Sequence, residues 1–319
     1  MVNQLEIINK LKSAERVAII SHIYPDGDAV GSSLALYQAL KKDGKSVDVF
    51  LCDGVPTIYS FLPNADQVKT KYEHGDYDIA VVLDTGDIDR IGSCTSVINS
   101  AKFKINIDHH STGISFGDIN MVEPYASSTG EIIYRLIKMY GLDIDKEIAE
   151  CLYVSIATDT GGFRFSNTTG ITMQIAADLI NCGIDVSDIS RKIFDIYSLA
   201  KVKLMGEAIN SLEIHKEKVA VMCLTYNQIK KTEATSEDFD GIVNIARNIN
   251  GIEVAVFIVE KEPDEIKVNL RSNSSLDVAD LAKKFSGGGH KKAAGCKFSG
   301  IPLEDAKTSI VNEILLRIQ

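Results

Sequence analysis

This sequence lacks membrane-spanning runs, paired cysteines and an excess of positive charge. No stretch approaches the roughly 20 apolar residues of a transmembrane helix. The six cysteines are scattered without a C-x-x-C pair, which argues against a zinc site built from thiolates and indicates reduced packing residues. The first residues read as an amphipathic helix rather than a secretory leader, so we expect a cytoplasmic protein with no membrane partner.

Acidic residues outnumber basic ones by 44 to 34, giving a formal net charge of -10. This balance argues against a general basic surface for long duplex nucleic acid. It does not exclude a small phosphorylated substrate, because bound divalent cations would reverse the sign of charge at an acidic site.

The length and composition are those of a globular chain with about two domains. The chain has 319 residues, of which 45% are hydrophobic and 24% charged. Strand and helix signals alternate in the first part, which predicts an α/β fold with a mostly parallel sheet flanked by helices. Alternation returns after residue 211 and predicts a smaller C-terminal α/β domain. We place the first domain at 1–185, a helical linker at 186–212 and the second domain at 213–319.

Three short apolar segments each end in side chains that commonly bind metals. The segments are 16–20, 79–83 and 103–107, and the side chains that follow them are His22, Asp26, Asp28, Asp84, Asp108, His109 and His110. If the segments are neighbouring parallel strands, these side chains converge on one edge of the sheet, where open α/β sheets place their active sites.

Each group also has a structural explanation. Asp28 could serve only as a helix N-cap, and Asp84 could be an ordinary residue of a strand-end turn. The run from Asp108 to His110 is harder to explain by packing, because an acid and two imidazoles add nothing to an apolar strand. Since adjacent strand residues point in opposite directions, we expect at most one of these two histidines to bind a metal directly.

A further acid supports a metal centre. Asp159 follows a predicted helix over 145–158, at the negative end of its dipole, where a bound cation would remove the electrostatic penalty. With Asp26, Asp28, Asp84, His22 and one of the two adjacent histidines it makes four carboxylates and two imidazoles, which suit two divalent ions that share one carboxylate. In this order and on these elements, the segments resemble the motifs of the DHH phosphoesterase superfamily.

The C-terminal part extends the resemblance. Arg271-Ser272 and the later run Ser286-Gly287-Gly288-Gly289-His290 resemble the DHH-associated domain of the nanoRNase branch, whose members are oligoribonucleases and pAp phosphatases. The resemblance implies a catalytic first domain, a substrate-binding second domain and an active site in the cleft between them. It implies the following substrate-binding residues, the last of them a weaker candidate: Arg271, Ser272, Gly288, Gly289, His290 and Arg164. By composition alone, the glycine run could instead be a helix stop followed by a basic loop.

The resemblance also implies the metal ligands. It assigns His22, Asp26 and Asp84 to one ion, and the second ion would have the ligands Asp28, Asp84, His109 and Asp159. His110 would face the substrate as a hydrogen-bond donor or general acid, and Asp108 would orient a neighbouring imidazole. Oxygen and imidazole ligands without sulfur favour Mn²⁺, with Mg²⁺ or Co²⁺ as the other candidates.

The implied activity is Mn²⁺-dependent hydrolysis of short RNA or DNA oligonucleotides to 5'-mononucleotides, and of pAp to AMP, by a hydroxide that two metal ions activate. A phosphodiesterase for cyclic dinucleotides or linear pApA would share every motif and stays open. A pyrophosphatase is less favoured because 287–290 replaces an expected cluster of serine, arginine and lysine. A non-catalytic nucleotide-binding module would be expected to lack ligands. The oligomeric state stays open, a homodimer included.

Overall fold

A computed structural model describes residues 2–73, 75–110 and 115–318, the side chains of Val2, Asn3 and His290 excepted. The chain divides into two compact units, Met1–Ile196 and Tyr197–Gln319. In the described ranges, none of the helices combines the length and the apolar character needed to cross a membrane. The six cysteines, all within these ranges, are free thiols.

The first unit alternates strands and helices and then becomes helical. Its elements are α1 (Val2–Ser13), β1 (Arg16–Ile20), α2 (Gly27–Lys42), β2 (Ser46–Phe50), β3 (Tyr77–Leu83), α3 (Thr95–Asn99), β4 (Ala101–Asp108), β5 (Ile119–Val122), α4 (Thr129–Tyr140), α5 (Lys146–Asp159), α6 (Gly170–Asn181) and α7 (Val186–Ser190). A single π-helical turn, Arg191–Asp195, follows α7.

The five strands form one parallel sheet in the order β2-β1-β3-β4-β5. This confirms the predicted fold, including the adjacency of the strands that end near His22, Asp84 and Asp108. Alternate residues of β1 lie in different apolar clusters, Val17 and Ile19 on one face and Ala18 and Ile20 on the other. Because both faces of the sheet are buried at its centre, β1 and β3 carry continuous apolar runs, 17–20 and 79–83, rather than alternating ones.

The structure corrects the residue that caps α2. The Oδ1 atom of Asp26 accepts hydrogen bonds from the amides of Asp28 and Ala29, both at 3.1 Å, so Asp26 is the N-cap. The alternative in which Asp28 is only a cap is therefore wrong. Asp28 lies in the first turn of α2, where its side chain is buried and available for another role.

The second unit contains a mixed sheet. Its elements are α8 (Leu199–Asn210), β6 (Glu213–His215), β7 (Val219–Leu224), α9 (Tyr226–Thr232), α10 (Val243–Arg247), β8 (Val254–Glu262), β9 (Glu265–Ser272), α11 (Val278–Lys283), β10 (Gly288–His290), β11 (Ala293–Ser299) and α12 (Leu303–Arg317). The strand order is β10-β11-β9-β8-β7-β6, with β7 and β8 parallel and the other pairs antiparallel. This confirms a second α/β domain.

Candidate metal centre

The carboxyl ends of β1, β3 and β4 bring the predicted metal-binding side chains together. The sheet order places β3 beside β1 on the side opposite β2, so the chain changes direction across the sheet between β1 and β3. Such a switch point opens a crevice at the carboxyl ends of the strands. The segment from His22 to Asp28 follows β1, Asp84 follows β3, and His109 and His110 follow β4.

One group of possible ligands consists of His22, Asp26 and Asp84. One ligand atom from each lies within 4.8 Å of the others. The Nε2 atom of His22 lies 3.5 Å from Oδ2 of Asp84 and 3.9 Å from Oδ1 of Asp26. Its Nδ1 atom lies 2.8 Å from the carbonyl oxygen of Ile23. Donation from Nδ1 to that carbonyl would leave Nε2 as a lone-pair donor directed at the two carboxylates.

A second group consists of Asp28, His109 and Asp159, again within 4.8 Å of one another. The Nε2 atom of His109 lies 3.7 Å from Oδ2 of Asp28 and 3.6 Å from Oδ2 of Asp159. It also lies 3.6 Å from Oδ1 of Asp84. The two oxygens of Asp84 therefore face different histidines, Oδ2 towards His22 and Oδ1 towards His109.

Asp28 is held by the N-terminus of α4. Its carboxylate accepts hydrogen bonds from the backbone amides of Thr129 at 2.7 Å and Gly130 at 3.0 Å. It also accepts one from the hydroxyl of Ser155 on α5. The amides at a helix N-terminus carry partial positive charge and stabilise a carboxylate there. Two helices distant in sequence thus fix the orientation of Asp28.

The electrostatics of the cluster call for a cation. Burial, and then the charge of Asp28, hold the pKa of Asp84 well above its ordinary value. Burial and the same neighbour raise the pKa of Asp159 to about 8. Acids this close together cannot all ionise without a counter-charge. Asp84 also has a φ of +58°, a strained value for a residue other than glycine and one that often marks functional sites. The donor set and its charge therefore fit divalent metal ions.

His110 pairs with Asp108 beside this cluster. The Nδ1 atom of His110 lies 2.7 Å from Oδ1 of Asp108, which also accepts hydrogen bonds from the amides of His109 and His110. Although burial alone raises the pKa of Asp108, the hydrogen bond from His110 leaves it below its ordinary value. The other oxygen of Asp108 is buried and has no hydrogen-bond partner among the described residues.

The expectation that His109 and His110 point in opposite directions is wrong. Their ring centroids are 4.7 Å apart, and Oδ1 of Asp84 lies 3.6 Å from one ring and 3.7 Å from the other. The strand β4 ends at Asp108, so the alternation of side chains no longer applies to the two residues that follow it.

Three polar residues that sequence reasoning missed support the candidate ligands. Thr129 donates from Oγ1 to Oδ1 of Asp84 at 3.1 Å, and Ser155 donates to Asp28. The side-chain amide of Asn167 lies 3.4 Å from Oδ2 of Asp159 and donates to the backbone oxygen of Asp159 at 3.1 Å. The sequence signal for the first was a helix start at Ser128, and the other two carried none.

Arg164 makes a local contact. Its Nε atom donates to the carbonyl oxygen of Gly161 at 2.6 Å, in the turn that follows α5. A role in substrate binding stays a prediction for this residue.

In the second unit, the sheet aligns the predicted substrate-binding segments. Arg271 on β9 pairs with Ala293 on β11, and Ala293 pairs with His290 on β10. Arg271 and His290 therefore occupy one row across three strands, although the side chain of His290 lies outside the described part of the structure. Arg271 is half-buried, and its burial lowers the pKa of its guanidinium. Ser272 is buried and donates to the carbonyl oxygen of Ser274 at 3.2 Å.

Packing explains two glycines of the run before His290. A Cβ on Gly287 would lie 2.2 Å from the carbonyl oxygen of Gly295, and one on Gly289 would lie 2.6 Å from that of Ala293. A Cβ on Gly288 would meet nothing within 4 Å. Close pairing with β11 therefore requires glycine at 287 and 289, and of the three only Gly288 has open space beside it. The segment is a short edge strand rather than the predicted loop.

Comparison with known proteins agrees with this arrangement. The DHH family N-terminal domain matches residues 16–156, and the DHHA1 domain matches residues 216–319. A protein of Thermus thermophilus named bifunctional oligoribonuclease and PAP phosphatase NrnA is 31% identical, covering 95% of this chain and 91% of its own length. The Bacillus subtilis protein of the same name is 31% identical, with 91% of each chain covered.

A solved structure is similar as well. The crystal structure of an exopolyphosphatase-related protein from Bacteroides fragilis has a TM-score of 0.93 and 31% sequence identity, and the match covers 99% of this chain and 98% of that one. Family models match both units, and the curated relatives match nearly the whole chain. The chain therefore belongs to the DHH family of phosphoesterases with a DHHA1 domain, and it is a hydrolase that acts on phosphoester bonds.

Proposed function

We propose that the protein hydrolyses short oligonucleotides, dinucleotides included, to 5'-mononucleotides and also converts pAp to AMP, using two divalent ions for which Mn²⁺ is the preferred metal. The relatives named NrnA support the two substrate classes. The position of Asp84, with one oxygen towards each of two ligand groups, supports two ions rather than one. That single observation carries the proposal.

In this proposal His22, Asp26 and Asp84 hold the first ion. The second ion has the following ligands: Asp28, Asp84, His109 and Asp159. Bound divalent ions would lower the pKa of a water molecule and neutralise charge that develops on the phosphoryl oxygens. Mn²⁺ accepts this mixture of imidazole and carboxylate more readily than Mg²⁺, which prefers oxygen ligands and keeps its waters.

His110 would supply a proton or hydrogen bond to the substrate. Its Nδ1 atom lies 2.7 Å from Oδ1 of Asp108, so Nε2 is the nitrogen that this proposal assigns to the substrate. A proton on Nε2 could then pass to the leaving oxygen or remain as a hydrogen bond to a phosphoryl oxygen. Asp108 acts through His110 and positions it.

Arg271 and the segment that ends in His290 would bind the phosphate groups of the substrate. A guanidinium binds phosphate through two parallel hydrogen bonds, which fixes orientation as well as charge. Arg271 is half-buried and lines a pocket of the second unit with Lys267 and Asp240. A cytoplasmic location stays a prediction.

The test is a substrate panel with metal-loaded protein. We expect Mn²⁺-dependent release of 5'-mononucleotides from RNA dinucleotides and trinucleotides, and release of phosphate from pAp. Linear pApA, a cyclic dinucleotide and pyrophosphate complete the panel. Turnover of pyrophosphate or the cyclic dinucleotide, with none of the dinucleotide or pAp, would overturn the proposal.

A further inference from the structure

The outer face of β9 carries a row of polar side chains. Lys267, Asn269 and Arg271 alternate with Ile266, Val268 and Leu270, which are buried in the core on the opposite face. The three polar residues are half-buried and line one pocket, together with Asp240 and Lys261. Alternation in a strand explains why they share a face, but it does not explain why two of the three are cations.

The charges of this pocket are unbalanced. Three cations, Lys261, Lys267 and Arg271, line it with one carboxylate, Asp240. In the part of the chain that the structure describes, neither Lys267 nor Arg271 has a carboxylate oxygen within 4.0 Å. Burial and the nearby Lys261 lower the pKa of Lys267. The charge of Asp240 acts on both Lys267 and Arg271, but it balances only one of the three cations. Holding the excess cations partly out of water costs free energy, which a bound anion would recover.

The residues of β11 beside this row are small at two of its three positions. Arg271 pairs with Ala293 on β11, and Asn269 pairs with Gly295, so small residues lie next to the first two positions. Lys267 pairs with Lys297, whose side chain forms an ion pair with Glu265 and does not line the pocket. A step of two residues along a strand is about 7 Å, so Lys267 lies about 14 Å along β9 from Arg271. Two cations so far apart bind different phosphates.

We propose that Arg271, Asn269 and Lys267 form a track for successive phosphates of one oligonucleotide, with Lys267 binding the phosphate farthest from the one at Arg271. This inference rests on the proposed function and adds a determinant of substrate length to it. Molecules with few phosphates, such as pAp, would occupy the Arg271 end alone. Trinucleotides with a 5'-phosphate, which carry three phosphates, and longer oligomers would reach Lys267 and gain affinity from it.

The test measures KM for pAp and for a dinucleotide, a trinucleotide and a tetranucleotide that each carry a 5'-phosphate, with wild type, Lys267→Ala and Lys267→Arg. We expect Lys267→Ala to raise KM about tenfold for the two longer substrates, because the variant loses one hydrogen bond between charged groups. The values for pAp and the dinucleotide should stay within twofold, and Lys267→Arg should restore the longer ones. In a plot of log KM against log salt concentration for the trinucleotide, the slope should be smaller by about 0.7 for Lys267→Ala than for wild type. That difference corresponds to one phosphate contact on a single strand.

Lys297→Ala is the matched control. Lys297 lies opposite Lys267 in the sheet, but its side chain is 68% exposed and it forms an ion pair with Glu265 at 3.1 Å. We expect this variant to keep wild-type KM values for every length. An equal rise of KM for all four substrates with Lys267→Ala, or no rise for the longer two, would overturn the track.

Failure of the proposed function would be recognised separately, as absence of turnover by the wild type. Fluorescence anisotropy with labelled oligonucleotides then tests the track by binding alone. The same loss of affinity for longer oligomers is expected for Lys267→Ala, and equal binding by wild type and variant would overturn it.

Discussion

Replacing Asp84 with asparagine would separate charge from shape at the centre of the cluster. Asparagine has nearly the same volume and tolerates a left-handed backbone, so the φ of +58° can be kept. The hydroxyl of Thr129, 3.1 Å from Oδ1 of Asp84, can still donate to the oxygen of an amide. The variant should therefore fold normally and lose mainly the charge that two ions would share.

The structure gives the size of the two effects. Ligand atoms of Asp84 and Asp26 lie within 4.8 Å of each other. At an effective dielectric constant of about 20, two full charges at that distance repel by about 3 kcal/mol. Because Asp26 is exposed to solvent, which weakens this repulsion, we expect Asp84→Asn to add about 1–2 kcal/mol to the free energy of unfolding of metal-free protein at pH 8. Loss of the shared ligand should lower kcat about 1,000-fold, which corresponds to a loss of about 4 kcal/mol of transition-state stabilisation.

Urea unfolding in the presence of EDTA, metal analysis and kcat with Mn²⁺ measure these effects. Asp143→Asn, at an exposed acid in the turn between α4 and α5, is the control and should change none of them. An Asp84→Asn variant with more than about a tenth of wild-type kcat would refute a shared ligand. A metal-free variant less stable than the wild type would refute the electrostatic reasoning.

Four further predictions concern other parts of the protein. Because burial raises the pKa of Asp159 to about 8, the folded metal-free protein binds more protons than the unfolded chain between about pH 4 and 8. Its free energy of unfolding in EDTA should therefore fall as pH rises through this window, and Mn²⁺ should reverse the loss at pH 8. A free energy of unfolding that does not change with pH would contradict this. His110→Asn should lower kcat and keep the metal content, so loss of an ion in metal analysis would show that His110 is a ligand. Arg271→Lys should raise KM for pAp about tenfold with kcat within threefold, because lysine keeps the charge without the paired donors, and the opposite pattern would count against phosphate binding there. Gly287→Ala should lower the free energy of unfolding by about 2 kcal/mol through its clash with β11, whereas Gly288→Ala, with open space beside it, should change it by less than about 0.5 kcal/mol; equal losses in urea unfolding would contradict the packing argument.

Sequence patterns predicted the parallel sheet because its strands are buried on both faces and each ends abruptly in polar side chains. Residues 17–20 of β1 and residues 79–83 of β3 are uniformly apolar, a pattern typical of such strands. The expectation that these strands are neighbours came from general rules for parallel α/β sheets rather than from the residues themselves. The structure then placed the two strands side by side, which the chain order alone does not specify.

The contacts within the cluster could not be predicted. Sequence reasoning gave Asp28 either a metal or a capping role, but its partners, Thr129, Gly130 and Ser155, lie more than 100 positions away. Long-range contacts of this kind have no periodicity to reveal them. The run Ser128-Thr129-Gly130-Glu131 fits the capping-box pattern, and the structure forms one half of it. The hydroxyl of Ser128 accepts from the amide of Glu131, whereas the Glu131 carboxylate accepts from Ser127.

The second unit held more that the sequence did not reveal. The strand β11 was missed because Ala293-Ala294-Gly295 has little β propensity, and pairing with β9 overrides that preference. The sequence pattern predicts one helix near 237–248, whereas the structure has a 3₁₀ turn at Ser236–Phe239 followed by α10. Tertiary packing rather than local propensity set these boundaries.

The central claim, that two ions shared through Asp84 activate hydrolysis of short oligonucleotides, is tested most directly by titrating metal-stripped protein with Mn²⁺ while following hydrolysis of an RNA dinucleotide. The account predicts no turnover without metal and a rate that reaches its plateau at two equivalents of Mn²⁺ per chain. Full activity in EDTA, a plateau at one equivalent, or an inactive protein with two ions bound would contradict it.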